Sequence, residues 1–162
     1  MTGAAVISAS DRSSRGERED LSGRLLTELL AMVPAGIEGY AVVPDSIRSI
    51  RAAIRRFTGS GRVRLLLTTG GTGVSPRDVT PEATAALIER DLPALSLAVR
   101  WASYPKAPTS VISRAVAGFR GDCLIVNMPG SPKAVRECFD ILLPAFRWLF
   151  REEKRERGGN GT

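Results

Sequence analysis

Histidine is missing from all 162 residues of the chain. That excludes Ser-His-Asp and Cys-His catalysis, imidazole zinc sites and any phosphohistidine intermediate. Chemistry here must run on carboxylates, hydroxyls, backbone amides, arginine or a hard metal ion. Cysteine is scarce: only Cys123 and Cys138 occur, in apolar surroundings and without C-x-x-C spacing. This reads as a reduced, cytoplasmic protein. No apolar run approaches the length of a membrane span, and the first residues show neither a basic leader nor a long apolar core. A soluble chain without a signal peptide or a membrane partner is expected. Aromatic residues make up 6% of the chain, and only Phe57 falls among the arginines of the most basic stretch. A stacking platform for single-stranded nucleic acid is not supported.

What remains is an ordinary globular composition, 43% hydrophobic and 25% charged, in a 17.4 kDa chain. Surface scaling predicts a folded area of about 7,900 Å² against about 25,000 Å² unfolded, enough burial for one self-supporting domain. The net charge is +6, and arginine supplies 20 of the 23 basic residues. Such a surface favours anionic partners, and the arginine fork can grip phosphate bidentately. Between Ser46 and Leu67, Arg48, Arg51, Arg55, Arg56, Arg62 and Arg64 occur without an acid. A solvated helix face followed by a loop explains them better than a dedicated nucleic-acid surface, so no specific nucleic acid is expected.

Four short apolar runs, Ala4 to Ala9, Ile37 to Val43, Val63 to Thr68 and Cys123 to Asn127, read as strands. They are nearly continuous rather than alternating, as in a parallel sheet covered on both faces. Helical stripes lie between them: Leu21, Leu25, Leu26, Leu29, Leu30 and Val33, then Ile47, Ile50, Ile54 and Phe57. Leu92 to Ser103 suggests another helix, and Val135, Cys138, Leu142 and Leu149 mark a last one, with a kink expected at Pro144. Thr80-Pro81 and Ser131-Pro132 each offer a hydroxyl cap before a proline at the first helical position. The prediction is a single three-layer α/β/α domain with a mostly parallel sheet over residues 1–150. A charged, glycine-rich flexible tail is expected over 151–162.

The polar motifs sit where these strands end. Ser8-Ala9-Ser10-Asp11-Arg12 follows the first, Pro44-Asp45-Ser46 the second, Thr68-Thr69-Gly70-Gly71-Thr72-Gly73 the third and Asn127 to Pro132 the fourth. In an open parallel sheet the carboxyl ends of strands share one edge, and ligands bind in the crevice outside it. The glycine turn is neither a P-loop nor a dinucleotide fingerprint. Its backbone amides can nevertheless form an anion nest, or it is an ordinary tight strand exit. Asp45 reads as a helix cap or as a carboxylate beside the phosphate cradle, and Asp78 as a turn carboxylate or the second such group. Magnesium takes one or two carboxylates together with substrate phosphates and water, so the pair suits a metal-assisted phosphate site. Asp11 to Asp20 reads equally as a flap or a solvated loop.

Taken together, several segments resemble the MogA/MoaB family of molybdenum cofactor biosynthesis. They are Ser10-Asp11-Arg12 with Gly16 and Asp20, Val42 to Asp45, the glycine turn followed by Arg77-Asp78-Val79-Thr80-Pro81-Glu82-Ala83-Thr84, Ser113 to Gly118, and Asn127 to Val135. The match runs in order from about Val6 to Leu149. The resemblance implies a molybdopterin-binding fold and molybdopterin adenylyltransferase activity. In that reaction the pterin phosphate and ATP, with Mg²⁺, give adenylylated molybdopterin and pyrophosphate. It implies Asp45 and Asp78 as the catalytic, metal-holding pair. Ser10, Asp11, Thr69, Gly70, Gly71, Thr72, Gly73, Pro129, Gly130, Ser131 and Pro132 fall on its ligand-binding segments. It further implies a homotrimer and contacts with other enzymes of the same pathway. The attacking group would be an already ionised phosphate oxygen, so the missing histidine is no obstacle. A catalytically inactive pterin carrier of the MoaB type is the alternative.

Overall fold

A computed structural model of the chain describes residues 2–158. Its six-stranded sheet has the order β2-β1-β3-β6-β5-β4. The apolar runs become β1 (Gly3–Ala9), β2 (Gly36–Val43), β3 (Val63–Thr69) and β6 (Cys123–Met128), all parallel to their neighbours in this group. Every residue of β1 and β6 is buried, as sequences apolar on both faces require. The outer strand β2 differs: Ile37 and Tyr40 are largely exposed, because only one neighbour covers its edge.

Two antiparallel strands, β4 (Arg90–Asp91) and β5 (Ala117–Arg120), extend the other side of the sheet. β5 meets β6 through a tight turn in which Gly121 takes φ +54°, a left-handed conformation suited to glycine. These short strands do not appear among the four apolar runs. β4 has two exposed residues, and β5 spends half its length on Phe119 and Arg120.

Helices cover both faces. On one, α2 (Leu21–Leu29), α5 (Pro93–Ser103) and α6 (Pro132–Gly158) pack over Val6, Leu65, Leu67, Leu124 and Val126. Phe139, Phe146 and Phe150 of α6 are fully buried there, each contributing about 2–3 kcal/mol of apolar transfer. On the other face, α3 (Ile47–Thr58) sets Ile50, Ile54 and Phe57 against Ala5, Ile7 and Ile125. The short α4 (Thr80–Ala85) joins it through buried Ala83. The three-layer α/β/α expectation holds.

Pro144 lies inside α6, and Phe139, Leu142, Leu143 and Phe146 on both sides of it pack the helix onto the sheet. The helix runs past Arg151 to Gly158. Arg151 to Arg157 are helix-favouring residues, and Arg155 pairs with Glu152 at 3.1 Å. Residues 159–162 of that expected tail lie outside the described residues. One local expectation is corrected: Thr80 does not cap α4; Val79 occupies the cap position, and the Thr80 hydroxyl is buried without a hydrogen bond. Ser131 does cap α6, its Oγ accepting from the Ala134 amide at 3.3 Å.

Candidate active site

The exits of β1, β2, β3 and β6 meet at one edge of the sheet, as the topology dictates. At the β1 exit, Ser10 caps the four-residue helix α1 (Asp11–Ser14), with Oγ accepting from the Ser13 amide at 3.2 Å. The segment to Asp20 is thus partly helical, and Asp20 in turn caps α2 by accepting from the Gly23 amide. Asp11 and Asp45 exchange bonds across the first two exits. The Asp11 amide donates to Asp45 Oδ2 at 2.9 Å, and the Asp45 amide donates to Asp11 Oδ1 at 3.0 Å. Asp45 is therefore not the cap of α3; Ser46 is, through its Oγ and the Ser49 amide. This leaves Asp45 Oδ1 without a hydrogen bond among the described residues.

The β3 exit requires its glycines. Gly70 has φ +90° and a Cβ there would stand 2.4 Å from the Ala9 carbonyl oxygen. Gly71 has φ +64°, and a Cβ would meet Thr80 Oγ1 at 2.5 Å and Asp45 Oδ1 at 3.6 Å. A Cβ on Gly73 would stand 2.8 Å from Asp78 Oδ2. Asp45 and Asp78 thus flank the same loop, two residues apart along it. The loop's carbonyls are already engaged: Gly71 O accepts from the Thr80 amide, Thr72 O from the Arg114 amide and Gly73 O from Arg114 Nε. The amides of Gly71, Thr72 and Gly73 donate to no group among the described residues. Successive amides left unengaged in this way are the donors from which an anion nest is made.

At the β6 exit, carbonyls are engaged in the same way. Thr69 Oγ1 donates to Pro129 O at 2.6 Å, and Ser22 Oγ donates to Gly130 O at 2.7 Å. Gly130 rests against Gly70, its Cβ position 3.5 Å from the Gly70 Cα. Asn127 ties the two exits together below the surface. Its Nδ2 donates to Thr68 Oγ1 and Thr84 Oγ1, each at 2.9 Å, while its Oδ1 accepts from the Val116 amide.

The site has two parts. A cleft of about 130 Å³ is lined by Ser10, Thr69, Gly70, Gly130 and Pro132 of the predicted set, joined by Ser8, Ser13, Asp20 and Ser22. Asp45 and Asp78 do not line it; they stand against Gly71 and Gly73 of the glycine loop. Burial pushes the Asp45 carboxyl above its ordinary range. The Asp11 amide opposes this, the charges of Asp11 and Asp78 add to it, and Arg77 offsets part. Arg77, itself exposed, reaches Asp11 at 3.7 Å. Asp78 Oδ2 accepts from the Ser75 amide at 2.9 Å, so its turn role is real, while its Oδ1 has no hydrogen bond among the described residues. No three His, Cys, Asp or Glu side chains form a metal cage among the described residues. An accumulation of carboxylates around two unengaged oxygens fits a hard cation that also carries phosphate and water.

Four neighbours escape a reading by strand exits alone. Arg114 lies ahead of β5, Thr80 and Thr84 belong to α4, and Ser22 belongs to α2. Arg114 stands within a segment of the family resemblance, the one signal that singles it out; nothing linear joins Ser22 to Gly130.

Comparison with known proteins gives the family. A family model described as a probable molybdopterin binding domain matches residues 5–148. The chain is 40% identical over 143 residues to the molybdopterin adenylyltransferase of Helicobacter pylori strain J99, covering 86% of this chain and 81% of that one. It is 36% identical over 138 residues to the molybdopterin adenylyltransferase of Escherichia coli K12, covering 83% and 70%. The crystal structure of a molybdopterin biosynthesis protein from Mycobacterium abscessus superposes with a TM-score of 0.88 at 37% identity, over 96% of this chain and 98% of that one. The molybdopterin biosynthesis enzyme MoaB of Thermus thermophilus gives 0.84 at 39% identity, over 92% and 96%. The chain belongs to the molybdopterin-binding family of molybdenum cofactor biosynthesis proteins.

Proposed function

We propose that this protein is a molybdopterin adenylyltransferase, joining the AMP moiety of ATP to the phosphate of molybdopterin with release of pyrophosphate. The observation that carries the reading is the β3 exit: a loop with unengaged amides and engaged carbonyls, flanked by two carboxylates that each keep one oxygen free of hydrogen bonds among the described residues. The relatives named for this activity, at 36–40% identity, support it.

The reaction asks little of a general base. An oxygen of the pterin phosphate, ionised near neutral pH, attacks the α-phosphorus of ATP, and the bond to the bridging oxygen of pyrophosphate breaks. Alignment and charge neutralisation then carry catalysis. The amides of Gly71, Thr72 and Gly73 face the charge that accumulates on the phosphate oxygens. Ser10, Thr69 and Gly130 line the cleft that holds the acceptor, end to end with the triphosphate. Asp45 and Asp78 would hold Mg²⁺, which, when bound, screens the triphosphate and stabilises the leaving pyrophosphate. Asp11 fixes Asp45 through the reciprocal amide bonds.

The same reading places the protein in the cytoplasm as a homotrimer, the latter tested by light scattering. Among the described residues, no helix is long and apolar enough to cross a membrane. Burial pushes the Cys123 and Cys138 thiols up to about 12 and about 11, which suits cysteines that stay reduced. The test is pyrophosphate release with molybdopterin, ATP and Mg²⁺, each omitted in turn. Release that needs all three is the expected result; binding of molybdopterin with no release would make the protein a carrier.

A further inference from the structure

Asp78 sits at the end of an exposed excursion, with Val74 68% exposed and the Arg77 side chain 81% exposed. Its carboxylate is held from within that excursion only, by the Ser75 amide, which belongs to the same turn. Such a turn does not by itself fix where it stands against the glycine loop. Arg77 touches Asp11 only at 3.7 Å from the exposed middle of the excursion, whereas Arg114 grips both of its ends. Arg114 Nε donates to Gly73 O at 2.7 Å, at the start of the excursion, and Nη2 donates to Asp78 O at 2.6 Å, at its end. Its Nη1 pairs with Glu82 on α4, and the Arg114 amide donates to Thr72 O at 3.0 Å. The Glu82 carboxyl lies below its ordinary range because of this arginine.

The segment carrying Arg114 is itself anchored. Arg100 of α5 donates to Ser113 O and Ala115 O at 2.8 Å each, and Val116 exchanges bonds with Asn127. A planar guanidinium with divergent donors can bridge two carbonyls and a carboxylate at once, whereas a lysine ammonium cannot reproduce that fork.

We propose that Arg114 is a positioning residue for Asp78: by tying both ends of the 74–77 excursion to one guanidinium, it fixes the carboxylate beside Gly73. This rests on the reading of Asp78 as a carboxylate of the adenylyl-transfer site. Arg114 touches no substrate in this role; it acts through the loop.

Arg114→Gln and Arg114→Lys, in the full chain, test it by two readouts. The first is amide hydrogen exchange at residues 75–80 without substrate. Arg114→Gln should speed it at least about tenfold while the sheet amides keep their wild-type rates, and Arg114→Lys should fall between. The second is turnover: kcat should fall at least about tenfold, with KM for molybdopterin within about threefold and more Mg²⁺ needed for half-maximal rate. Unchanged exchange at 75–80 in both variants overturns the proposal, as does an unchanged kcat. An equal loss of protection throughout the sheet overturns it too, since the arginine would then be a general stabiliser. If Arg114→Gln does not fold, Arg114→Lys decides by the same criteria. A wild-type protein without turnover would refute the adenylyl-transfer reading, while the exchange result would still show whether Arg114 places the Asp78 turn.

Discussion

The exits of β3 and β6 lie side by side and solve one problem by different means. Both must turn away from the sheet while leaving amides open to a ligand, and both do so by engaging their carbonyls elsewhere. At the β6 exit the partners are neutral hydroxyls, Thr69 and Ser22, and Gly130 has ordinary room around it. At the β3 exit the partners are an amide and an arginine. Two glycines stand at positive φ, and carboxylates press against the loop. The difference teaches where charge is handled. The neutral exit shapes a cleft; the charged exit gathers carboxylates and an arginine around glycines at positive φ, and under the proposed function it is the part that meets phosphate and a cation.

The sharpest way to break this contrast is Asp78→Asn. Turnover should fall about a thousandfold, roughly 4 kcal/mol of transition-state stabilisation, with equilibrium binding of molybdopterin changed less than about threefold. Binding and turnover that fall together would remove the division of labour.

Next comes a paired stability measurement by denaturant unfolding. Gly70→Ala should cost about 2–3 kcal/mol, because its φ is strained for alanine and its Cβ meets the Ala9 carbonyl, a backbone atom that cannot swing aside. Gly130→Ala should cost less than about 0.5 kcal/mol, its nearest neighbour being at ordinary contact distance. Equal costs would mean that the exits do not differ as described.

Asn127→Ala removes the link beneath both exits and should cost about 2 kcal/mol. It leaves the buried Thr68 hydroxyl and the half-buried Val116 amide without the bonds they make to Asn127.

The smallest effect concerns Asp45. Its carboxyl is raised in the folded state, so the fold binds its proton more tightly than the unfolded chain does. Stability from this group is greatest when it is protonated, and declines as pH rises through the ordinary carboxylate range and on through the raised one. Asp45→Asn, neutral throughout, should therefore melt slightly above wild type at pH 7 while losing activity. That advantage should vanish in acid below the ordinary carboxylate range; a lower Tm at pH 7 would contradict the sign.

The four parallel strands were legible because each is a run of apolar residues buried on both faces, and their shared edge followed from topology. Asp45 and Asp78 were legible as carboxylates next to a glycine turn. What linear reading could not supply was pairing between distant polar atoms. The reciprocal bonds of Asp11 and Asp45 span 34 residues, and that of Ser22 with Gly130 spans 108. It also missed β4 and β5, which are too short to carry a period. The cap at Thr80 failed for a related reason: a hydroxyl before proline fits a cap locally, but here the Thr80 amide is drawn to Gly71 O and the residue becomes helical.

Adenylyl transfer at the acidic, glycine-rich exit can be followed with radiolabel placed on the α-phosphate or the γ-phosphate of ATP, in the presence of molybdopterin and Mg²⁺. The α-label should become attached to the pterin while the γ-label leaves as pyrophosphate. Label from the γ-position on the pterin, or ADP as the nucleotide product, would contradict it.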